Sequence, residues 1–273
     1  MVDPARARHL KEDGNRAFGA RDYVKAEALY SKALIADPSE PALYTNRAMT
    51  RLRMHLWDGV VADCTACLDL APDRMKAYYY LSLAYIPLED YDEALRMALV
   101  AHNLCVQTDD RSLTAVTSQV LQCKRERWEA IERRRKRETS ALENETLDFF
   151  EQDREDVLKM VIDDAHKRDI IREYDEKLHA IQDIFERARN SDQKARSVPD
   201  WLIDEISFCV MHDPVMTKSG KSYERAHILE HLRRSQTDPQ SREPLYPHEL
   251  RPNLQLREAC RQFLEENAWA VDY

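Results

Sequence analysis

A repeat of thirty-four residues constrains this chain more than any other feature. Leu10, Gly14, Tyr23, Ala26, Tyr30, Ala33 and Pro38 are followed at that interval by Tyr44, Ala48, Trp57, Val60, Cys64, Cys67 and Pro72. Tyr78, Ser82, Tyr91, Ala94, Ala98 and Ala101 come next, and Val106 takes the last place, as expected where an array stops. Small residues at 14, 48 and 82 let two helices approach closely, and the aromatic at 23, 57 or 91 wedges between them. Pro38 and Pro72 end the second helix of their units, because proline cannot continue a helix. A single helix pair cannot cover its own apolar face, so about three must stack.

The pattern resembles the tetratricopeptide family and implies a three-repeat α-solenoid over residues 5–107 with a concave groove. The first helix of each unit faces inward and carries Lys11 and Asn15, then Asn46, then Lys76. Lys11 and Asn15 are one turn apart and share a face. Arg53, read as lying on the second helix of the second unit, also reaches the trough. Two lysines and two asparagines suit a pair of carboxylates at a peptide C-terminus, with charge from the lysines and directed donors from the amides. Each charge-assisted bond contributes ~1.5–3 kcal/mol. Most surface lysines are merely solvated, but these four positions together match the carboxylate clamp of chaperone-binding tetratricopeptide domains. The resemblance implies seventy- and ninety-kilodalton heat-shock chaperones as partners, held by their Glu-Glu-Val-Asp tails. Several such clamps carry arginine one turn after the second lysine; this chain has Tyr80. Tyr79 and Tyr80 offer an aromatic wall instead, which leaves the choice between chaperones open.

Composition narrows the rest. Only 4 of 273 residues are glycine, which favours a mostly helical protein. No apolar run approaches the ~20 residues of a membrane helix, and the N-terminus lacks an apolar signal core. The expected location is the cytoplasm, or also the nucleus. A net charge of −9 argues against nucleic acid as the main partner. The 6 scattered cysteines read as reduced, small apolar residues rather than a disulfide framework.

Residues 108–198 form a charged helical linker in this reading, with no proline along it. The run 133–137 is a solvated helix face or an import signal. Ile171, Tyr174, Leu178, Ile181 and Phe185 are spaced 3, 4, 3, 4, a heptad seam about two heptads long. It packs either against the 142–161 segment of the same chain or, as paired helical hairpins, in a homodimer.

Pro199-Asp200 opens a compact α+β segment over 199–273: loop, hairpin, helix, loop, helix. The hairpin turns at Lys218-Ser219-Gly220-Lys221, and Asn253 N-caps the last helix. Cys209-x-x-His212 has the spacing of half a zinc site, but a closed site needs four ligands, and His227, His231, His248 and Cys260 form no second Cys-containing pair. A zinc-free module held by packing, salt bridges and hydrogen bonds is expected, with no metal and no cofactor. ISFCVMHDPVMTKSGKSYERAHILEHL, DPQSREPL and LRPNLQLREAC resemble the U-box, the zinc-free relative of RING domains. Repeats, helical middle and U-box in this order resemble the co-chaperone ubiquitin ligases.

That resemblance implies a RING-type ubiquitin transferase without a covalent ubiquitin intermediate, acting on misfolded clients held by chaperones. By position, Ile206, Phe208 and Met211 would meet a ubiquitin-conjugating enzyme from the first loop, and Pro239 from the second, with His231 and Asn253 nearby. Arg242 stands where the family has a cation that bridges enzyme and ubiquitin. The alternative is a non-catalytic chaperone adaptor whose U-box serves only in dimerisation.

Overall fold

The computed structural model describes residues 2–191 and 198–272. It divides into two compact units, residues 1–128 with 200–273, and residues 129–199.

Six helices in the first unit realise the repeat: α1 (Pro4–Gly19), α2 (Tyr23–Ala36), α3 (Pro41–Arg53), α4 (Trp57–Leu70), α5 (Met75–Tyr85) and α6 (Tyr91–Thr108). The thirty-four-residue period reaches the backbone. Arg21, His55 and Glu89 each take a φ near +60°, and each turn closes with a bond to the residue five back: Asp22 to Ala17, Leu56 to Arg51, Asp90 to Tyr85. Asp22 and Asp90 cap the following helices with their side chains, while Leu56 leaves α4 without a side-chain cap. The interior of the array is built from Ala26, Ala33, Ala48, Val60, Cys64, Cys67, Ala77 and Ala94, all fully buried. Arg47 and Arg51 of α3 converge on buried Asp63 of α4 at 2.6 and 3.1 Å, and Arg51 also pairs with Glu27 of α2 at 2.8 Å. The Arg51–Glu27 pair ties the first two repeats together, while Asp63 joins the two helices of the second.

Helix α7 (Leu113–Met160) begins by capping the array. Val120 and Cys123 pack on Ala94 and Ala98 of α6. Leu113 and Val116 join Ala101 and Cys105, and Ala226 and Leu229 of the C-terminal module close this cluster. The boundary expected near residue 108 is therefore corrected: the first turns of α7 bury apolar surface with the repeats, and the second compact unit starts at residue 129. Beside the cluster, Lys124 Nζ lies 3.2 Å from His212 Nδ1, and the His102 and His212 rings meet edge-on at 5.0 Å. Burial lowers the Lys124 ammonium to about 8 and holds both imidazoles below their ordinary value.

The C-terminal module has a small antiparallel sheet in the order β2-β1-β3: β1 (Pro214–Met216), β2 (Ser222–Glu224) and β3 (Arg251–Pro252). Helices α9 (Arg225–Arg234) and α10 (Leu254–Glu266) complete it. Val215, Tyr223, Ile228, Leu232 and Leu245 form its core. The short β3 was not expected. It is an edge strand of two residues, one of them a proline, too short to show alternation.

The second unit contains the later part of α7 and α8 (Asp164–Ser191), separated by a break at Val161–Asp163. Tyr174 donates to Asp153 at 2.5 Å, and Arg154 to Asp175 at 3.0 Å, so the two helices pair as a hairpin. Part of the linker expected over 108–198 lies outside the described residues, at 192–197.

Candidate functional site

Two regions of the first unit carry most of the residues singled out above. In the array, α1, α3 and α5 stand side by side, linked by Asn46 Nδ2 donating to Asn15 Oδ1 at 3.2 Å and by Tyr80 Oη contacting Met49 Sδ at 3.4 Å. Lys11, one turn before Asn15, is half-exposed and lies 4.0 Å from Glu40, which N-caps α3. Asn15 is exposed and Asn46 half-buried. Lys76 is exposed near the start of α5, and its charge reaches Asp110. Arg53 is corrected in place: it is the last residue of α3, the first helix of the second unit, and not of the second helix. From there it acts on the Tyr80 phenol. Burial, the stronger effect, pushes that phenol up to about 12, so it stays a neutral donor. The Tyr79 and Tyr80 rings lie 5.9 Å apart, both half-buried. Chemically, the trough offers ammonium and amide donors beside an aromatic wall, which suits an acidic peptide end.

The second surface rests on two loops built alike. Asp204 is fully buried and accepts from Ser207 N and Oγ, Glu224 N and His227 Nδ1 at 2.8–3.0 Å. Asp238 accepts from Ser219 Oγ, Tyr223 Oη, Gln240 N and Ser241 N at 2.9–3.2 Å. Burial raises each carboxyl, but the donors outweigh it and hold both below the ordinary range. Four residues after each aspartate the backbone turns left-handed, at Phe208 and Arg242, both with φ 60°. Each of these residues donates its N–H to the aspartate carbonyl, at 2.8 and 2.9 Å. Sequence reasoning missed this pair of cages. Its signal is present as Asp-x-x-Ser at 204–207 and again at 238–241.

The cages shape the loops that carry Phe208, Pro239 and Arg242. Phe208 is 72% exposed, and Pro239 and Arg242 are exposed. Ile206 is half-buried against the core cluster and shares a hollow of about 270 Å³ with His227, Glu230, His231 and Arg234. His231 Nε2 holds the second loop through the Thr237 carbonyl at 3.0 Å. Two expectations change. Met211 is 2% exposed, so its side chain is buried in the module and not on the surface with Phe208. Asn253 lines a different hollow, with Trp201, Ile203 and Lys221. There its amide caps α10 through Leu256 N and donates to Ser222. Cys209 is half-buried and hydrogen-bonds within its own loop. Among the described residues, no cluster of three His, Cys, Asp or Glu has metal-holding geometry.

In α8, Tyr174 is buried and Leu178, Ile181 and Phe185 are half-buried. Ile171 is 39% exposed while its neighbour Ile170 is buried, so the seam within the hairpin starts one residue earlier than expected.

Residues 198–269 match the U-box domain family. The E3 ubiquitin-protein ligase CHIP of Arabidopsis thaliana is 31% identical over 272 residues, which is 98% of this chain and 97% of that protein. The Hsp70/Hsp90 co-chaperone CNS1 of Saccharomyces cerevisiae is 29% identical over 145 residues, 52% of this chain and 37% of its own. Among solved structures, the first tetratricopeptide domain of Spaghetti (RPAP3), bound to an HSP90 peptide, is similar at 29% identity. That match covers 43% of this chain and 94% of the other, with a TM-score of 0.39.

Proposed function

This chain belongs to the CHIP family of U-box E3 ubiquitin-protein ligases, and from that premise we propose how its two surfaces divide the work. The trough of Lys11, Asn15, Asn46 and Lys76 captures the acidic C-terminal tail of a heat-shock chaperone. The two caged loops receive a ubiquitin-conjugating enzyme that carries ubiquitin as a thioester. Ile206 and Phe208 supply apolar contact, Pro239 shapes the second loop's edge, and Arg242 steadies enzyme and ubiquitin in a reactive pose.

Ubiquitin then passes from the conjugating enzyme to a lysine of the chaperone-bound client without resting on this chain. The cysteines support that step: Cys64, Cys67, Cys105, Cys123 and Cys260 are buried, and burial pushes the Cys260 thiol up to about 12. Cys209, the remaining one, hydrogen-bonds to Ser207, and among the described residues no general base partners it. The single observation that carries the reading is the likeness of the whole chain to one ligase, rather than of either half to an adaptor.

A discharge assay tests it. Charged conjugating enzyme is mixed with free lysine and either wild type or Ile206→Ala. Wild type accelerates loss of the thioester, and the variant slows that acceleration roughly tenfold or more, as expected of an apolar anchor at an interface centre. Equal, slow discharge with both proteins leaves only the adaptor role.

A further inference from the structure

We propose that Tyr30 is a positioning residue of the trough, whose hydroxyl fixes the amide of Asn15 so that its N–H₂ faces the bound carboxylate. This inference rests on the reading of the trough as a carboxylate site.

A carboxylate only accepts hydrogen bonds, so an asparagine that grips one must present its nitrogen. A free amide can rotate and present its oxygen instead, which a carboxylate repels. In this structure both acceptor positions of Asn15 Oδ1 are taken. Tyr30 Oη donates to it at 2.7 Å and Asn46 Nδ2 at 3.2 Å. Among the described residues Asn15 Nδ2 has no hydrogen-bond partner, and the side chain is exposed on the trough. The two bonds therefore set the orientation that an anion requires.

The device depends on an unusual approach. Tyr30 is 2% exposed, and its ring lies so close to α1 that a Cβ on Gly14 would stand 2.6 Å from its Cε1. Gly14 lets the ring pass and the hydroxyl emerge beside Asn15. Burial raises the Tyr30 phenol, which keeps its proton available for donation. The other repeats lack the arrangement. The positions of Asn15 and Tyr30 hold Met49 and Cys64 in the second repeat, and Leu83 and Ala98 in the third. The hydroxyl is thus no requirement of helix packing at this place in the fold. It occurs only where the neighbouring residue is one of the trough's amides.

Titration calorimetry of the full-length protein with a peptide ending in Glu-Glu-Val-Asp, as free acid and as C-terminal amide, tests the assignment. Tyr30→Phe keeps the ring and removes the hydroxyl. Affinity for the free acid is expected to fall roughly tenfold, the scale of one charge-assisted bond lost or misdirected. Affinity for the amide should change far less. In an Asn15→Ala background, Tyr30→Phe should cost nothing further. A loss of equal size for both peptides, or the same loss with and without Asn15, identifies a packing role and overturns the proposal. Tight wild-type binding that Tyr30→Phe leaves unchanged overturns it as well, while the trough reading survives. Absence of wild-type binding removes the trough reading and this inference together.

Discussion

Asp204 and Asp238 hold their loops by collecting four donors each. A lone aspartate followed by serine three residues later carries no periodic signal, and the likeness of the two loops lies in their backbone, left-handed four residues after each aspartate. The repeat assigned Lys11, Asn15, Asn46 and Lys76 to the first helices of their units, and α1, α3 and α5 carry them. Tyr30 was legible only as a core aromatic, since its contact with Asn15 crosses between helices. The Asp204 cage also yields a pH signature. Its hydrogen bond to His227 raises that imidazole above its ordinary value. The stability that proton adds is complete below about pH 6.5 and is lost as the pH rises through the raised value. The Asp204 carboxylate, held low, keeps its contribution until the pH falls through its own lowered value. The stabilising charge pair therefore occupies a mildly acidic window. The difference in unfolding midpoint between wild type and His227→Gln is expected to be larger at pH 6 than at pH 8.5, measured by thermal denaturation. Equal differences would show that the imidazole acts only as a neutral donor.

At the scale of elements, helices with repeated or heptad spacing were readable, as were the ends marked by Pro38, Pro72 and Asn253, while the break between α7 and α8 was not. The array's helices follow from small residues, aromatics and prolines at one interval. The break at Val161–Asp163 contains neither glycine nor proline. Its cause is an N-cap, Asp163 accepting from His166 N at 3.0 Å, which starts α8 afresh. The seam of α8 was read one residue late because Ile170 and Ile171 are adjacent and equally apolar. The structure buries the first in the hairpin and leaves the second exposed, together with Ile162 and Ile184. A homodimer formed by paired hairpins would cover such residues. Ile171→Glu should then raise the dimer dissociation constant at least ~tenfold, through lost apolar burial and a desolvated carboxylate. Sedimentation equilibrium reads this directly, and an unchanged association would place the dimer contact elsewhere.

On the scale of the whole molecule, a chain of net charge −9 carries Lys11, Asn15, Asn46 and Lys76 on the first helices of its repeats and exposes Phe208 and Arg242 on one pair of loops. In the proposed function each surface needs the other, because a captured chaperone without a loaded carrier would be merely bound. The direct measurement is ubiquitination of a chaperone-held client in a reconstituted mixture, with wild type, Lys76→Ala and Ile206→Ala side by side. Wild type should modify the client. Lys76→Ala should lose client modification while still discharging charged conjugating enzyme onto free lysine, and Ile206→Ala should lose both. Client modification that persists undiminished in Lys76→Ala, or in a mixture whose chaperone lacks its acidic tail, would contradict the account.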